Sequence, residues 1–154
     1  MRRKDRQLPH DEARAILERG EYGVLSTVSP EGAPYGVPLN YACRDDVIYV
    51  HGALAGQKLD NIEVHRRVSF CVVGHTEVLP RRFSSRYESV IVTGDATEAV
   101  GDEKRKGLVE LLKKYSPPFL PEGQEFIEKA GKNARVLEIR ILALTGKASR
   151  WTGV

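Results

Sequence analysis

Residues 22–42 read YGVLSTVSPEGAPYGVPLNYA, and the fold turns on this stretch. Tyr22 to Ser29 alternates with a period of two, as a strand does. Ser29-Pro30-Glu31-Gly32 is a turn and Pro34 to Ala42 a returning strand, so the whole is a β-hairpin. On the returning strand Tyr35, Val37, Leu39 and Tyr41 make a core stripe. The opposite face carries Gly36, Pro38, Asn40 and Ala42, which is nearly flat and leaves the backbone approachable. Pro38 donates no ladder hydrogen bond, so the strand is bulged or at an edge there. Two readings are open. Either a planar heterocycle lies along this ledge and bonds to main-chain groups, or the small residues accommodate a neighbouring strand or the bend of a barrel.

Working outward, Pro9 to Arg19 reads as a short helix, with Ala13, Ile16 and Leu17 on one face and Gly20 past its end. Arg2 to Arg6 reads as a loose terminus, within a first stretch, 1–8, outside the folded body. Val47 to His51 is a third strand, Lys58 to Val64 a short helix, and Val68 to Gly74 a buried-type strand. Arg81 to Arg86 reads as a polar, basic connection, and Tyr87 to Val100 as a long strand bent at Gly94. Asp102 to Tyr115 is the best helix, with Asp102 as its cap and Ser116-Pro117-Pro118 as its end. Glu122 to Lys132 is a weaker helix, and Ala134 to Thr145 closes as a strand. Consecutive hairpins, about six strands and three or four helices argue for a mainly β antiparallel barrel with peripheral helices, not a doubly wound fold.

The chain has 154 residues, the size of one domain, so 1–154 is read as a single unit. Lys and Arg number 24 against 21 Asp and Glu, a net charge of +3, too weak to argue nucleic-acid binding. Hydrophobic residues at 41% and charged residues at 29% describe a globular chain rather than a disordered one. No apolar run approaches the roughly 18–20 residues of a spanning helix, and no apolar segment follows the charged start, so neither a membrane nor a secretory signal is expected. Cys43 and Cys71 form no CxxC pair, and two isolated thiols fit a reducing cytoplasm.

Three further stretches carry chemistry. In His51-Gly52-Ala53-Leu54-Ala55-Gly56-Gln57-Lys58 a strand ends, glycines loosen a loop, and a helix starts at Gln57 and Lys58. Helix N–H groups beside an ammonium suit a phosphate, although the spacing is not that of a Walker loop and a solvated turn is the plain alternative. His51 either contacts a ligand at the barrel rim or is a partly buried, hydrogen-bonded histidine. Arg81-Arg82-Phe83-Ser84-Ser85-Arg86-Tyr87-Glu88 either binds phosphate or an anionic substrate, or is a charged surface loop. His10, His65 and His75 share no metal-ligand spacing with His51, so no metal is assigned. No GxGxxG fingerprint and no nucleophile elbow occur.

The order GVLSTV (23–28), GAPYGVPLNY (32–41), IYVHGA (48–53) with GQKLDNI (56–62), VSF (68–70) and YESVIVTG (87–94) resembles the pyridoxamine 5′-phosphate oxidase-like flavoproteins, and within them the nitroimidazole-resistance branch. The resemblance implies a split β-barrel that dimerises, with FMN in each of two clefts between subunits. It places Val37, Pro38, Leu39 and Asn40 along the isoalloxazine, Gln57 and Lys58 on the phosphate, His51 near the ring as the one catalytic candidate, and Thr27 as a neighbour. Ser85 and Arg86 would complete the phosphate or substrate pocket, from the same chain or the partner. Where the oxidase pattern has an Arg-containing strand this chain reads Gly36-Val37-Pro38-Leu39-Asn40, and the basic C-terminal signature is replaced by Ala148-Ser149-Arg150-Trp151-Thr152-Gly153-Val154. Pyridoxamine phosphate is therefore not the expected substrate. Trp151 either stacks on a ring or packs on the barrel. The expectation is an FMN-dependent oxidoreductase of a small planar substrate such as a nitroimidazole or other nitroaromatic. The alternatives are a flavin-sequestering or sensor protein, or a split barrel using haem or F420.

Overall fold

A computed structural model describes residues 2–150. Six strands, β1 (Tyr22–Val28), β2 (Pro34–Arg44), β3 (Val47–Gly52), β4 (Arg67–Leu79), β5 (Ser84–Ala99) and β6 (Arg135–Ser149), close into an antiparallel barrel. Their order is β1-β2-β3-β6-β5-β4, the split barrel that the hairpins imply. Four helices accompany it: α1 (His10–Arg19), α2 (Gln57–Val64), α3 (Gly101–Tyr115) and α4 (Leu120–Ala130). None of the described helices is long and apolar enough to cross a membrane.

The β1–β2 hairpin closes on Ser29. Its N–H donates to the Ala33 carbonyl at 2.8 Å, and its hydroxyl accepts the Ala33 N–H at 3.1 Å. Gly32, at φ +87°, supplies the left-handed turn. Inside the barrel, Leu25, Ile48, Val50, Phe70, Val72, Val90, Val92 and Ile139 are fully buried. The two mouths are stopped by helices. Ala13, Ile16 and Leu17 of α1 enter one, where the Tyr41 hydroxyl donates to the Leu17 carbonyl. Leu59 and Ile62 of α2 enter the other, beside Ala96 and Leu137. Helix α3 lies on the outside of β3 and β6, over Tyr49, Val136 and Ala99. Gly107 permits this approach, since a Cβ there would sit 2.7 Å from the Tyr49 ring.

Three expectations need correction. The stretch Arg81 to Arg86 is not simply a connection: only Pro80–Arg82 forms a 3-10 turn, and β5 already starts at Ser84. Ser84, Ser85 and Arg86 pair with Leu79, Val78 and Glu77, making a hairpin arm that runs past the barrel. Such an arm is bare on both sides and so lacks the apolar alternation that marks a strand. Asp102 does not cap α3. Val100 holds that position, and Asp102 and Glu103 instead sit in the first turn, where they favour the helix dipole. The start of the chain is tied down: Lys4–Arg6 is a 3-10 turn, Gln7 bridges to Lys147, and the Leu8 N–H donates to Gly146.

Gly94 marks a real irregularity, for the β5–β6 register slips between Thr93 and Gly94. A Cβ there would lie 2.6 Å from the Arg140 carbonyl oxygen and 2.7 Å from Ile139 Cγ2. A backbone oxygen cannot swing aside, so Gly94→Ala is expected to cost about 1–3 kcal/mol. The check is urea unfolding: the midpoint should fall with the slope unchanged, and an unmoved midpoint would mean that the bulge relaxes freely.

Candidate functional site

The outside of β1, β4, β5 and the first half of β2 differs from the face under α3. The register sets Gly36, Ser26, Ser69, Thr93 and Ala143 in one row across five strands. Pro38, Val24, Cys71, Ile91 and Thr145 form the next. The first row is built of small side chains, and the second is mostly apolar. Ile91 is 49% exposed and Val73, further along β4, 54%, so these residues face outward without cover among the described residues. A Cβ on Gly36 would meet nothing closer than Val24 Cγ1 at 3.5 Å. The flat ledge is therefore real, and it extends across β1 and β4 through Ser26 and Ser69.

On this ledge Pro38 and Asn40 present side chains outward, whereas Val37 and Leu39 pack against the core and pair with Leu25 and Gly23 of β1. A hollow of about 290 Å³ is lined by Glu21, Tyr22, Pro38, Leu39 and Asn40. Thr27 is turned inward and 2% exposed, and its hydroxyl accepts the Asn61 side-chain N–H at 2.8 Å. That buried pair fixes α2 to β1. Asn61 is a positioning residue that sequence reasoning missed; a lone Asn on a short helix gives no signal until its partner strand is known.

The β2–β3 ladder runs only from Arg44↔Val47 to Tyr41↔Val50. Beyond it, residues 34–40 of β2 pair with β1, while His51 and Gly52 pair with Val136 and Arg135 of β6. The barrel thus opens with Asn40 on one lip and His51 on the other. Backbone groups alternate sides along a strand. Those of Tyr41 meet the Tyr115 hydroxyl beside Glu21, on the β1 side. The groups of Gly36, Pro38 and Asn40 therefore point into the split. Pro38 brings no N–H there, which leaves one donor fewer to satisfy.

Behind the lip stands a cationic corner. Gly56, at φ +150°, turns the chain into α2, and Gln57 and Lys58 open the helix with N–H groups that have no partner within it. The Lys58 amine lies over Gly52, within 2.8 Å of where a Cβ would stand, and it makes no ion pair among the described residues. Arg135 braces the corner through Glu98, Glu63 at 3.7 Å and the Leu54 carbonyl at 3.5 Å. His51, exposed, lies beside the corner and also forms part of the wall of a cleft under α3 and α4.

Ser85 and Arg86 do not join this site within one chain. Arg86 pairs with Glu77 at 2.9 Å on the hairpin arm. On β5 it is twelve residues from Glu98, which belongs to the corner, or roughly 40 Å at 3.3 Å per residue. Burial pushes the Cys43 thiol up to about 12 and raises that of Cys71, so neither is an activated nucleophile. Trp151 lies outside the described residues.

The family model described as pyridoxamine 5′-phosphate oxidase matches residues 9–148. The chain belongs to that family. No curated protein matches its sequence. Among solved structures, a provisionally named 5-nitroimidazole antibiotic resistance protein from Bacteroides thetaiotaomicron superposes with a TM-score of 0.74 at 20% identity, over 92% of this chain and 86% of that one. A FAD-binding protein from Mesorhizobium loti gives 0.66 at 24%, over 94% and 98%. A FAD and heme binding protein from Mycobacterium smegmatis gives 0.82 at 19%, over 95% and 74%. At these identities the likeness is one of fold. In this member of the pyridoxamine 5′-phosphate oxidase family the ledge borders the split on β2, and the Lys58 amine borders it on β3 over Gly52.

The corner's brace is sensitive to acid. The hydrogen bond from Arg135 holds the Glu98 carboxyl below its usual 4.5. A depressed carboxylate contributes stability that is complete above 4.5 and is lost as pH falls through the lowered value. Glu98→Gln is therefore expected to be less stable than the natural chain near neutrality, with the gap closing as pH falls below 4.5 through the lowered value. Urea unfolding across that range checks this, and a gap independent of pH would place the effect in packing rather than charge.

Proposed function

We propose that this chain is an FMN-dependent oxidoreductase of small planar substrates, acting in the cytoplasm as a homodimer with its flavin held between subunits. The observation that carries the reading is the split itself, with the side-chain-poor ledge on its β2 lip and the Lys58 amine over Gly52 on its β3 lip. A flat ring system needs a surface without protruding side chains, and Gly36, Ser26 and Ser69 make one. The main chain of Val37, Pro38, Leu39 and Asn40 would border it, and the carbonyls of Gly36, Pro38 and Asn40 with the N–H groups of Gly36 and Asn40, which point into the split, would be the ones to bond it. Gln57 and Lys58 supply N–H groups and an ammonium to a phosphate, the combination that suits a dianion. The flavin, when bound, supplies the electron transfer itself. His51, on the lip opposite Asn40, is the group placed to hold or deliver a proton to the substrate.

Two features support the dimer. The exposed apolar second row suits burial against a second copy. Ser85 and Arg86 lie some 40 Å from the corner along β5, so a second copy's arm is the source proposed for them at the flavin's phosphate. A carrier that holds flavin without turning it over would use the same surfaces. Rapid reduction of the bound flavin by NADH or NADPH, followed by reoxidation with a nitroaromatic, separates the two.

The cofactor released by heat is expected to be FMN by absorbance and mass; haem, F420 or no cofactor at all would overturn this reading. Lys58→Ala removes a charge-assisted contact worth roughly 1.5–3 kcal/mol, so FMN affinity should drop about ten- to a hundredfold. Gly36→Val should fold as well as the natural chain, since nothing crowds the site, yet lose FMN binding because the ledge is no longer flat. Equal affinity in both variants would show the flavin to lie elsewhere. Light scattering should give twice the chain mass; a monomer that binds FMN tightly is incompatible with a shared cleft.

A further inference from the structure

Helix α4 buries none of its residues. It touches α3 closely at Gly123, where a Cβ would lie 2.2 Å from Leu112, and otherwise stands away from the barrel. Beneath it is a cleft of about 490 Å³, within the range of small-molecule sites. Leu108, Leu111, Ile127 and Ala134 line it, and Phe119 and Phe126 wall it while 61% and 69% exposed. His51 stands at its barrel side. No Lys or Arg lines it, and Glu122 is its one carboxylate, so the lining disfavours an anion.

We propose that this cleft binds an uncharged, largely apolar aromatic molecule with its polar end at His51, and that it seats the body of the oxidoreductase's acceptor substrate. The second half rests on the flavin reading above; the first does not. The geometry explains both. His51 is shared between the cleft and the lip facing Asn40, so a molecule lodged under α4 points its polar end toward the ledge. The apolar walls gain from any occupant that removes them from water. A single imidazole at the end orients it without demanding a charge.

The probe is N-phenyl-1-naphthylamine, uncharged at neutral pH and fluorescent when out of water. Titrated into the purified full chain, with and without added FMN, it should saturate at one site per chain. Ala130→Trp fills the cleft and should weaken binding by at least about tenfold; Phe126→Ala removes an exposed wall, endangers no core, and should weaken it roughly three- to tenfold. FMN affinity should be unaltered in both. No saturable binding, or binding indifferent to both variants, overturns the site. In flavin-loaded protein the probe should raise KM for a nitroaromatic acceptor and leave kcat unchanged, and a fall in kcat alone overturns the substrate assignment. Probe binding in a protein that takes up no FMN would defeat the flavin reading while upholding the cleft.

Discussion

The ladder between β2 and β3 ends at Tyr41↔Val50, and the candidate site exists because it does. A closed barrel satisfies every backbone group in its own strands. Here seven residues of β2, 34–40, have a neighbouring strand on one side only among the described residues. The break is held open from several directions. The Tyr41 ring packs edge-on against Phe70 with centroids 5.0 Å apart, and its hydroxyl reaches α1. At the other edge of the same residue, the Tyr115 hydroxyl accepts the Tyr41 N–H at 2.9 Å and lies 2.8 Å from its carbonyl. A side chain from α3 thus stands in where β1 has already ended. With Tyr41 anchored on all sides, the strand beyond it diverges from β3 without fraying, and Pro38 lowers the number of donors left over.

The core accounts for why the outer face remains bare. Its apolar contacts are concentrated inside the barrel and at the two helix-stopped mouths, where α1 and α2 complete a single cluster. A second, smaller cluster fixes α3 to β3 and β6. Neither needs the outward residues of β1, β4 or β5. Those positions are free of packing constraint, so a row as small as Gly36, Ser26, Ser69, Thr93 and Ala143 costs the isolated chain little, beyond exposing Ile91 and Val73 to water.

Much of this was readable in residues 22–42. The period-two alternation and the Ser29–Gly32 turn define the first hairpin, and the smooth face of β2 is visible as Gly36, Pro38 and Asn40 at every second position. The start of α2 was equally plain from Gly56-Gln57-Lys58. What could not be read depends on contacts distant in sequence. Thr27 turns inward because Asn61, thirty-four residues on, claims its hydroxyl. The arm carrying Ser85 and Arg86 gives no apolar alternation, since it has no core to face. The side of β3 on which His51 lies follows from alternation, but the cleft it borders requires α4, distant in sequence, to stand off from the barrel.

Electrostatics mark the corner more sharply than shape. Arg14 is paired with Glu18 and Asp46, Arg44 with Glu110, Arg67 with Asp95, Arg86 with Glu77, and Arg135 with Glu98 and Glu63. Exposed pairs of this kind add little stability, so their prevalence reflects the carboxylates within reach rather than a demand of folding. Lys58 lies close to Glu63 in sequence, yet Glu63 turns to Arg135, and the Lys58 amine rests over Gly52 instead. Arg135 draws both Glu63 and Glu98 to itself, and in doing so leaves the ammonium at the start of α2 without a counter-ion among the described residues. A cation kept free beside unpaired helix N–H groups attracts an anion from solution. The brace therefore does more than hold the loop: by occupying the nearby carboxylates, it preserves the positive charge on which phosphate recognition would rest.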